Sequence, residues 1–217
     1  MVRVKMCGNQ TRKDIDITGD ADAVGFIVAT PESSRNITPK LAARLAEDSP
    51  LFCSTVLVTT EREPRALRDL SARIEPDYLQ LHSSLSPEQI KKISDYIGDT
   101  AGIIGLLSID DNLLKLKHRA LDLANLPLEA ILLDGKVEGQ VGGTGRVHNW
   151  EYSREIRDLL YPFPVILAGG LDPGNVGEAI NKVQPYGVDV ATGIEDNGEK
   201  SEQKVERFLK EVKKCEA

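Results

Sequence analysis

Eight short apolar segments rich in branched side chains recur along the whole chain, and charged segments with helical periodicity lie between most of them. Apolar runs of this kind are typical of strands buried in a parallel sheet, where helices make the crossovers. The 217 residues divide into eight units of about 27, enough for a strand, a helix and two short loops each. The expected strands are residues 2–7, 23–28, 52–58, 78–81, 102–107, 130–134, 164–168 and 187–191.

This recurrence predicts an α/β fold, a single (β/α)8 TIM barrel. No linker or break in composition divides the chain, so residues 1–217 are expected to form one catalytic domain. An open doubly wound sheet shows the same alternation of strands and helices. Closure into a barrel is favoured by glycines after the seventh and eighth expected strands, where barrels often bind phosphate.

Proline-containing pairs predict where three of the helices begin, because proline in the first helical turn has no N–H to leave unpaired. The pairs are Thr38-Pro39, Ser86-Pro87 and Asp172-Pro173. In the first unit, residues 11–18 leave room for only about two helical turns. Residues 201–214 are expected to form the last helix.

The charge and cysteine content exclude several classes of protein. The net charge is −7 and the basic residues are scattered, which argues against a nucleic-acid partner. The three cysteines, Cys7, Cys53 and Cys215, form no C-x-x-C pair, and neither a disulfide framework nor a metal site is indicated. No apolar signal segment or membrane span is visible, so a reduced, cytoplasmic protein is expected.

Glycine clusters follow the sixth, seventh and eighth expected strands. Glycine allows several backbone N–H groups to approach one phosphate closely. An isolated pair is more often an ordinary tight turn, but clusters at three successive strand ends favour a shared phosphate site. The predicted binding residues are Gly142, Gly143, Thr144, Gly169, Gly170, Thr192 and Gly193.

Cys7 ends the first expected strand, at the end of the barrel where substrates bind. A thiolate there acts as a general base if positive charge brings its pKa, about 8.5 in peptides, toward neutrality. Lys5, Arg12 and Arg35 are the candidate charges. The alternative role of a lone cysteine is that of a small buried apolar residue.

Asp134 ends the sixth expected strand, after four apolar residues. Partial burial there would raise the pKa of its carboxyl group, which could then deliver a proton as general acid. The alternative is a structural role, in which Asp134 caps the next loop or pairs with a lysine at a strand end.

Three further side chains are expected at the same end of the barrel. Arg35 follows the second strand, and its planar guanidinium suits the binding of a carboxylate, although an exposed arginine without a role is the alternative. Gln80 and His82 flank Leu81 at the end of the fourth strand, where alternation points both into the barrel to shape the pocket. Trp150 is expected to pack a helix onto the barrel.

Six fragments in order resemble the phosphoribosylanthranilate isomerase family of tryptophan biosynthesis, and most of all its compact archaeal members. They are Lys5-Met6-Cys7-Gly8, Ala21-Asp22-Ala23-Val24-Gly25-Phe26, Gln80-Leu81-His82, Gly142-Gly143-Thr144-Gly145, Ala168-Gly169-Gly170-Leu171 and Gly187-Val188-Asp189-Val190.

The resemblance implies an Amadori rearrangement of N-(5-phosphoribosyl)anthranilate to 1-(2-carboxyphenylamino)-1-deoxyribulose 5-phosphate without metal or cofactor. It implies that Asp134 is the general acid, that Cys7 is the general base and that Arg35 lies near the anthranilate carboxylate. The partner is then a phosphorylated small molecule, with no nucleic acid or membrane, and the chain is a monomer or a homodimer.

Two other interpretations fit part of the sequence. One is another phosphosugar barrel, such as an epimerase or indole-glycerol-phosphate synthase, but three histidines make a multi-histidine metal centre hard to build. The other is an idle phosphate-binding barrel that assists enzymes of the same pathway. The presence of both Cys7 and Asp134 argues against the idle barrel, because a binding module needs neither an acid nor a base.

Overall fold

The computed structural model describes residues 1–135 and 148–215, and within these ranges eight parallel strands form a closed barrel. The barrel strands are β1 (Arg3–Met6), β2 (Ala23–Val28), β3 (Ser54–Thr59), β4 (Tyr78–Leu81), β5 (Gly102–Ile109), β6 (Ala130–Gly135), β7 (Val165–Leu167) and β8 (Gly187–Val190).

Helices surround the barrel and follow the strands in turn. They are α1 (Arg12–Thr18), α2 (Pro39–Glu47), α3 (Pro64–Ile74), α4 (Pro87–Ile97), α5 (Leu113–Ala124), α6 (Trp150–Leu160), α7 (Val176–Val183) and α8 (Glu202–Lys214). A short strand, Asn36–Ile37, pairs with β2, and a hairpin of Glu195–Asp196 with Glu199–Lys200 precedes α8. Across the described ranges, no helix is both long and apolar enough to span a bilayer.

Strand β1 closes the barrel, because it pairs in parallel with both β2 and β8. Lys5 lies opposite Ala23 on one side and opposite Asp189 on the other. Every strand can pair with a neighbour on both sides only if the last strand pairs with the first, as β8 does with β1. The predicted barrel is therefore confirmed over the open sheet.

Strand alternation sorts the apolar side chains into two layers. The outer layer, which includes Met6 and Phe26, packs between the strands and the helices. The inner layer fills the barrel and includes Val56, Leu132 and Cys7. Polar side chains at the carboxyl ends of the strands, among them Gln80 and Asp134, face a cavity.

The strand predictions are confirmed, with ends that differ by at most two residues. Strand β5 ends two residues later than expected, and β3 begins two residues later, at Ser54 rather than at Phe52, which is 95% exposed. Phe52 belongs to a solvent-exposed turn, so its apolar character reflects no burial in the sheet.

Two of the three predicted helix starts are confirmed. Thr38 and Ser86 cap α2 and α4 with their side-chain oxygens. The third prediction is wrong, because α7 begins at Val176 and not at Asp172-Pro173. The Asp172 carboxylate accepts hydrogen bonds from the N–H groups of Gly174 and Asn175, which holds these residues in a turn.

Candidate active site

A cavity of about 570 Å³ opens at the carboxyl ends of the barrel strands. Every predicted site residue that the structure describes lines it: Cys7, Arg35, Gln80, His82, Asp134, Gly169, Gly170, Thr192 and Gly193. The remaining predicted residues, Gly142, Gly143 and Thr144, lie outside the described residues.

Cys7 lies at the end of β1 with its side chain in the inner layer, where the residue is 6% exposed. Burial raises the pKa of its thiol, and the positive charge of Lys5 opposes that rise. Two of the three cations predicted to act on Cys7, Lys5 and Arg35, interact electrostatically with its thiolate. Arg12 does not contribute, because it pairs with Asp16 and Asp48 on the outside of the barrel.

Asp134 is the next-to-last residue of β6 and faces the same cavity. Burial raises the pKa of its carboxyl group from 3.8 to about 6, and the negative charge of Asp189 adds to the rise. Asp134 is partly buried, which is the condition that the sequence analysis set for such a rise. A carboxyl group with this pKa exchanges protons near neutral pH, as a general acid must.

Gln80 and His82 point into the cavity beside Asp134, as alternation predicted. Nε2 of Gln80 lies 3.3 Å from Nδ1 of His82, and burial lowers the pKa of the imidazole. Nε2 of His82 lies 3.8 Å from a carboxylate oxygen of Asp134. The imidazole therefore forms part of the wall beside Asp134.

Two glycines, Gly25 and Gly169, leave space for the side chains of Cys7 and Asp134. A Cβ atom built on Gly25 would lie 2.9 Å from Sγ of Cys7 and 3.2 Å from Nζ of Lys5. A Cβ atom on Gly169 would lie 2.6 Å from Oδ1 of Asp134. Neither position could carry a larger residue unless the Cys7 or Asp134 side chain moved.

The loops after β7 and β8 are in backbone contact with each other. Gly169 and Gly170 have positive φ angles of 83° and 71°, which glycine adopts without strain. A Cβ atom on Gly193 would lie 1.9 Å from the carbonyl oxygen of Leu171. Gly169, Gly170 and Gly193, the described glycines among those predicted for phosphate binding, therefore lie along one rim of the cavity.

Arg35 reaches across this rim from the loop after β2. Its Nε and Nη2 donate to the two carboxylate oxygens of Glu195 at 2.8 and 2.5 Å, and Nη2 also donates to Thr192 Oγ1 at 3.1 Å. One edge of the guanidinium is thus occupied by the protein itself. Arg35 also lines the cavity, so its guanidinium lies within reach of a ligand there.

Sequence reasoning missed several residues that organise the site. Asp189, Glu195 and Lys200 are buried charged residues, and Gly25 and Asn9 shape the end of β1. A charged residue inside an apolar strand indicates a buried charge with a partner, and Asp189 in β8 could have been recognised in this way. Glu195 and Lys200 gave no such signal, because they belong to a hairpin that sequence patterns did not predict.

The fold and the site together define a (β/α)8 barrel with one cavity at the carboxyl ends of its strands. The thiol of Cys7, the carboxyl group of Asp134 and a glycine-rich rim line this cavity. The model of the family described as N-(5'phosphoribosyl)anthranilate (PRA) isomerase matches residues 4–211, and the chain belongs to this family.

Relatives match over the full length of both chains. The N-(5'-phosphoribosyl)anthranilate isomerase of Methanothrix thermoacetophila is 36% identical over 221 residues, which cover 100% of each chain. A monomeric form of the dimeric phosphoribosylanthranilate isomerase of Thermotoga maritima superposes with a TM-score of 0.82 at 30% identity, covering 99% of this chain and 100% of the other. A phosphoribosyl anthranilate isomerase in complex with reduced 1-(o-carboxyphenylamino)-1-deoxyribulose 5-phosphate gives 0.81, also at 30% identity and with the same coverage.

Proposed function

We propose that this chain catalyses the Amadori rearrangement of N-(5-phosphoribosyl)anthranilate to 1-(2-carboxyphenylamino)-1-deoxyribulose 5-phosphate in tryptophan biosynthesis. The main support is that Cys7 on β1 and Asp134 on β6, two strands that are not neighbours, line one cavity in a member of this family. A substrate held between them meets a proton donor on one side and a proton acceptor on the other.

In the proposed first step, Asp134 protonates the oxygen of the furanose ring. The bond from C1 of the sugar to this oxygen breaks, and the nitrogen lone pair forms the C=N bond of an open-chain Schiff base. The raised pKa of Asp134 supports this role, because a carboxyl group that holds its proton near pH 6 can give it up at neutral pH.

In the proposed second step, the thiolate of Cys7 takes the proton from C2. The electrons of the C2–H bond form the C1=C2 bond, those of the C=N bond return to nitrogen, and the enolamine relaxes to the ketone. Lys5 supports this step, since its charge opposes the effect of burial on the pKa of the thiol. No metal or organic cofactor is required.

We propose that the anchoring groups lie at the rim. Arg35 would bind the anthranilate carboxylate, while Gly169, Gly170, Thr192 and Gly193 would hold the phosphate together with Gly142, Gly143 and Thr144. Gln80 and His82 would shape the wall next to Asp134. Phosphate bound by backbone N–H groups at glycine-rich loops is common in barrels of this type.

We further propose that residues 1–217 form one catalytic domain that works in the cytoplasm on a phosphorylated small molecule, without a nucleic-acid or membrane partner. In solution, we propose that the chain is either a monomer or a homodimer. Light scattering after size-exclusion chromatography distinguishes them by mass.

The activity is tested with freshly prepared phosphoribosylanthranilate, which is labile, by following the loss of its anthranilate fluorescence with and without the folded protein. We expect a clear acceleration over the rate in buffer. No acceleration by folded protein would favour the idle phosphate-binding barrel, and turnover of a different phosphosugar alone would favour another barrel enzyme.

A further inference from the structure

A buried ion cluster of three side chains lies behind the rim of the cavity and consists of Arg35, Glu195 and Lys200. Glu195 accepts from Arg35 with both carboxylate oxygens, and its Oε1 also accepts from Nζ of Lys200 at 2.8 Å. The side chains of Glu195 and Lys200 are 4% and 1% exposed. Strand pairing in the hairpin places these two residues opposite each other.

Lys200 touches three acceptors and is not among the residues that line the cavity. Besides Glu195, its ammonium group donates to the carbonyl oxygen of Cys7 at 2.7 Å and to that of Ala191 at 3.5 Å. Three acceptors around a buried ammonium satisfy its three N–H groups. Lys200 therefore joins the end of β1, which carries Cys7, to the carboxylate that holds Arg35.

The charges in this cluster do not cancel. Burial opposes ionisation of Glu195, but the hydrogen bond from Arg35 and the charge of Lys200 lower the pKa of Glu195, so it is a carboxylate. Two cations and one anion leave a net charge of +1. If Lys200 were neutral, Glu195 would cancel Arg35, and the rim would hold no net charge to attract an anion.

Lys204, in the first turn of α8 next to the hairpin, is a useful contrast. Its Nζ pairs with the carboxylate of Asp196 at 2.5 Å and donates to the carbonyl oxygen of Glu195 at 2.6 Å. It is a lysine close to the cluster whose charge is already balanced by a separate, exposed partner. Its removal changes the net charge of the chain as removal of Lys200 does, but leaves the cluster intact.

We propose that Lys200 is a positioning residue that keeps the cluster at Arg35 cationic and so sets the preference of the cavity for ligands that carry a carboxylate. This inference rests on the proposed function, in which Arg35 faces the anthranilate carboxylate. Lys200 acts through Glu195 and Arg35 and makes no contact with the ligand itself.

The test compares two ligands that differ only in the carboxylate. They are reduced 1-(o-carboxyphenylamino)-1-deoxyribulose 5-phosphate and its counterpart with a plain phenyl ring, and calorimetry gives both dissociation constants. We expect the wild-type chain to prefer the carboxylate ligand by at least about tenfold, and Lys200→Met to lose about tenfold of that preference, as removal of one nearby charge predicts. Lys204→Met is the matched control and should keep the wild-type preference.

A second pair of variants separates charge from structure. Lys200→Gln keeps an amide donor for the carbonyl of Cys7 but removes the charge, and it should lose the preference as Lys200→Met does. The double variant Glu195→Gln with Lys200→Met returns the cluster to +1 and should regain the preference. A role in holding the hairpin alone predicts no such recovery.

The outcomes also separate this inference from the proposed function. If the wild-type chain binds neither ligand, the proposed function is wrong and this inference falls with it. If the wild-type chain binds both ligands, but Lys200→Met and Lys200→Gln keep the preference or the double variant does not recover it, only the role of Lys200 is wrong.

Discussion

Nζ of Lys5 donates to both carboxylate oxygens of Asp189 at 2.9 Å, and this buried ion pair acts electrostatically on both Cys7 and Asp134. Asp189 raises the pKa of the thiol and of the carboxyl group, whereas Lys5 opposes both shifts. The predicted base and the predicted acid are therefore linked through one ion pair, and the charge of Lys200 also lowers the pKa of Cys7.

This link predicts the pH dependence of kcat/KM. Because the pKa of Asp134 is about 6 and burial raises that of the Cys7 thiol above its usual value, the active form, a thiolate with a protonated carboxyl group, is a minor tautomer of the singly protonated pair. The rate should be constant between pH 6 and the raised pKa of Cys7, fall below pH 6 as both groups become protonated, and fall again at higher pH as both lose their protons.

Asp189→Asn tests the assignment of this acidic limb. The variant removes the charge that raises the pKa of Asp134 and frees the charge of Lys5 that lowers it, so the limb should move to lower pH. A profile measured from pH 4 to 10 decides the matter. A limb that stays in place or moves upward would show that Asp134 does not control it.

Asp134→Asn should stabilise the fold at alkaline pH. The pKa of Asp134 is raised from 3.8 to about 6 in the folded state, so folding favours its protonated form. The stability that this carboxyl group contributes is therefore fully present below pH 3.8 and is lost as pH rises through 6. The variant avoids this loss, which amounts to at most about 3 kcal/mol. Urea denaturation should show the difference at pH 8 and almost none below pH 4, whereas the exposed control Asp111→Asn should match the wild type at both.

Gly25→Ala should lower turnover more than tenfold while the protein stays folded, because a Cβ atom there meets Sγ of Cys7 at 2.9 Å. Gly105→Ala is the matched control, since its Cβ atom would meet Cδ1 of Leu128 at 2.8 Å, away from the residues that line the cavity. Circular dichroism and steady-state kinetics measure both effects. Equal activity in the two variants would mean that the space beside Cys7 does not matter.

Gly193→Ala should raise KM more strongly than it lowers kcat. Its Cβ atom would overlap the carbonyl oxygen of Leu171, which forces apart the two loops proposed to hold the phosphate. We expect KM to rise at least about tenfold, as loss of a charge-assisted phosphate contact implies. Gly174→Ala, in the neighbouring turn, should leave KM nearly unchanged, and an unchanged KM in Gly193→Ala would exclude this rim as the phosphate site.

The sequence predicted the barrel well, because each strand is a local apolar run and β1 to β8 differ from their expected bounds by at most two residues. Cys7 and Asp134 were found for the same reason, since each stands at the end of such a run. The helix start predicted at Asp172-Pro173 was wrong, because the hydrogen bonds that the Asp172 carboxylate accepts stabilise a turn in place of the first turn of α7.

The ion cluster could not be predicted from local patterns. Arg35 and Glu195 are 160 residues apart, and Lys200 is 193 residues from Cys7. Only barrel closure, which sets β1 beside β8, brings these residues together. Each one alone reads as an ordinary surface charge, and nothing in its neighbours along the chain signals burial.

The most direct test of the account is the rate at which Cys7→Ala turns over fresh phosphoribosylanthranilate, with Cys53→Ala as control. Cys53 is also a buried cysteine, but it packs in the outer apolar layer away from the cavity. We expect Cys7→Ala to lower kcat by about two orders of magnitude or more, as loss of a general base does, and Cys53→Ala to stay near the wild-type rate. A kcat for Cys7→Ala close to that of the wild type would contradict the proposed role of this thiol.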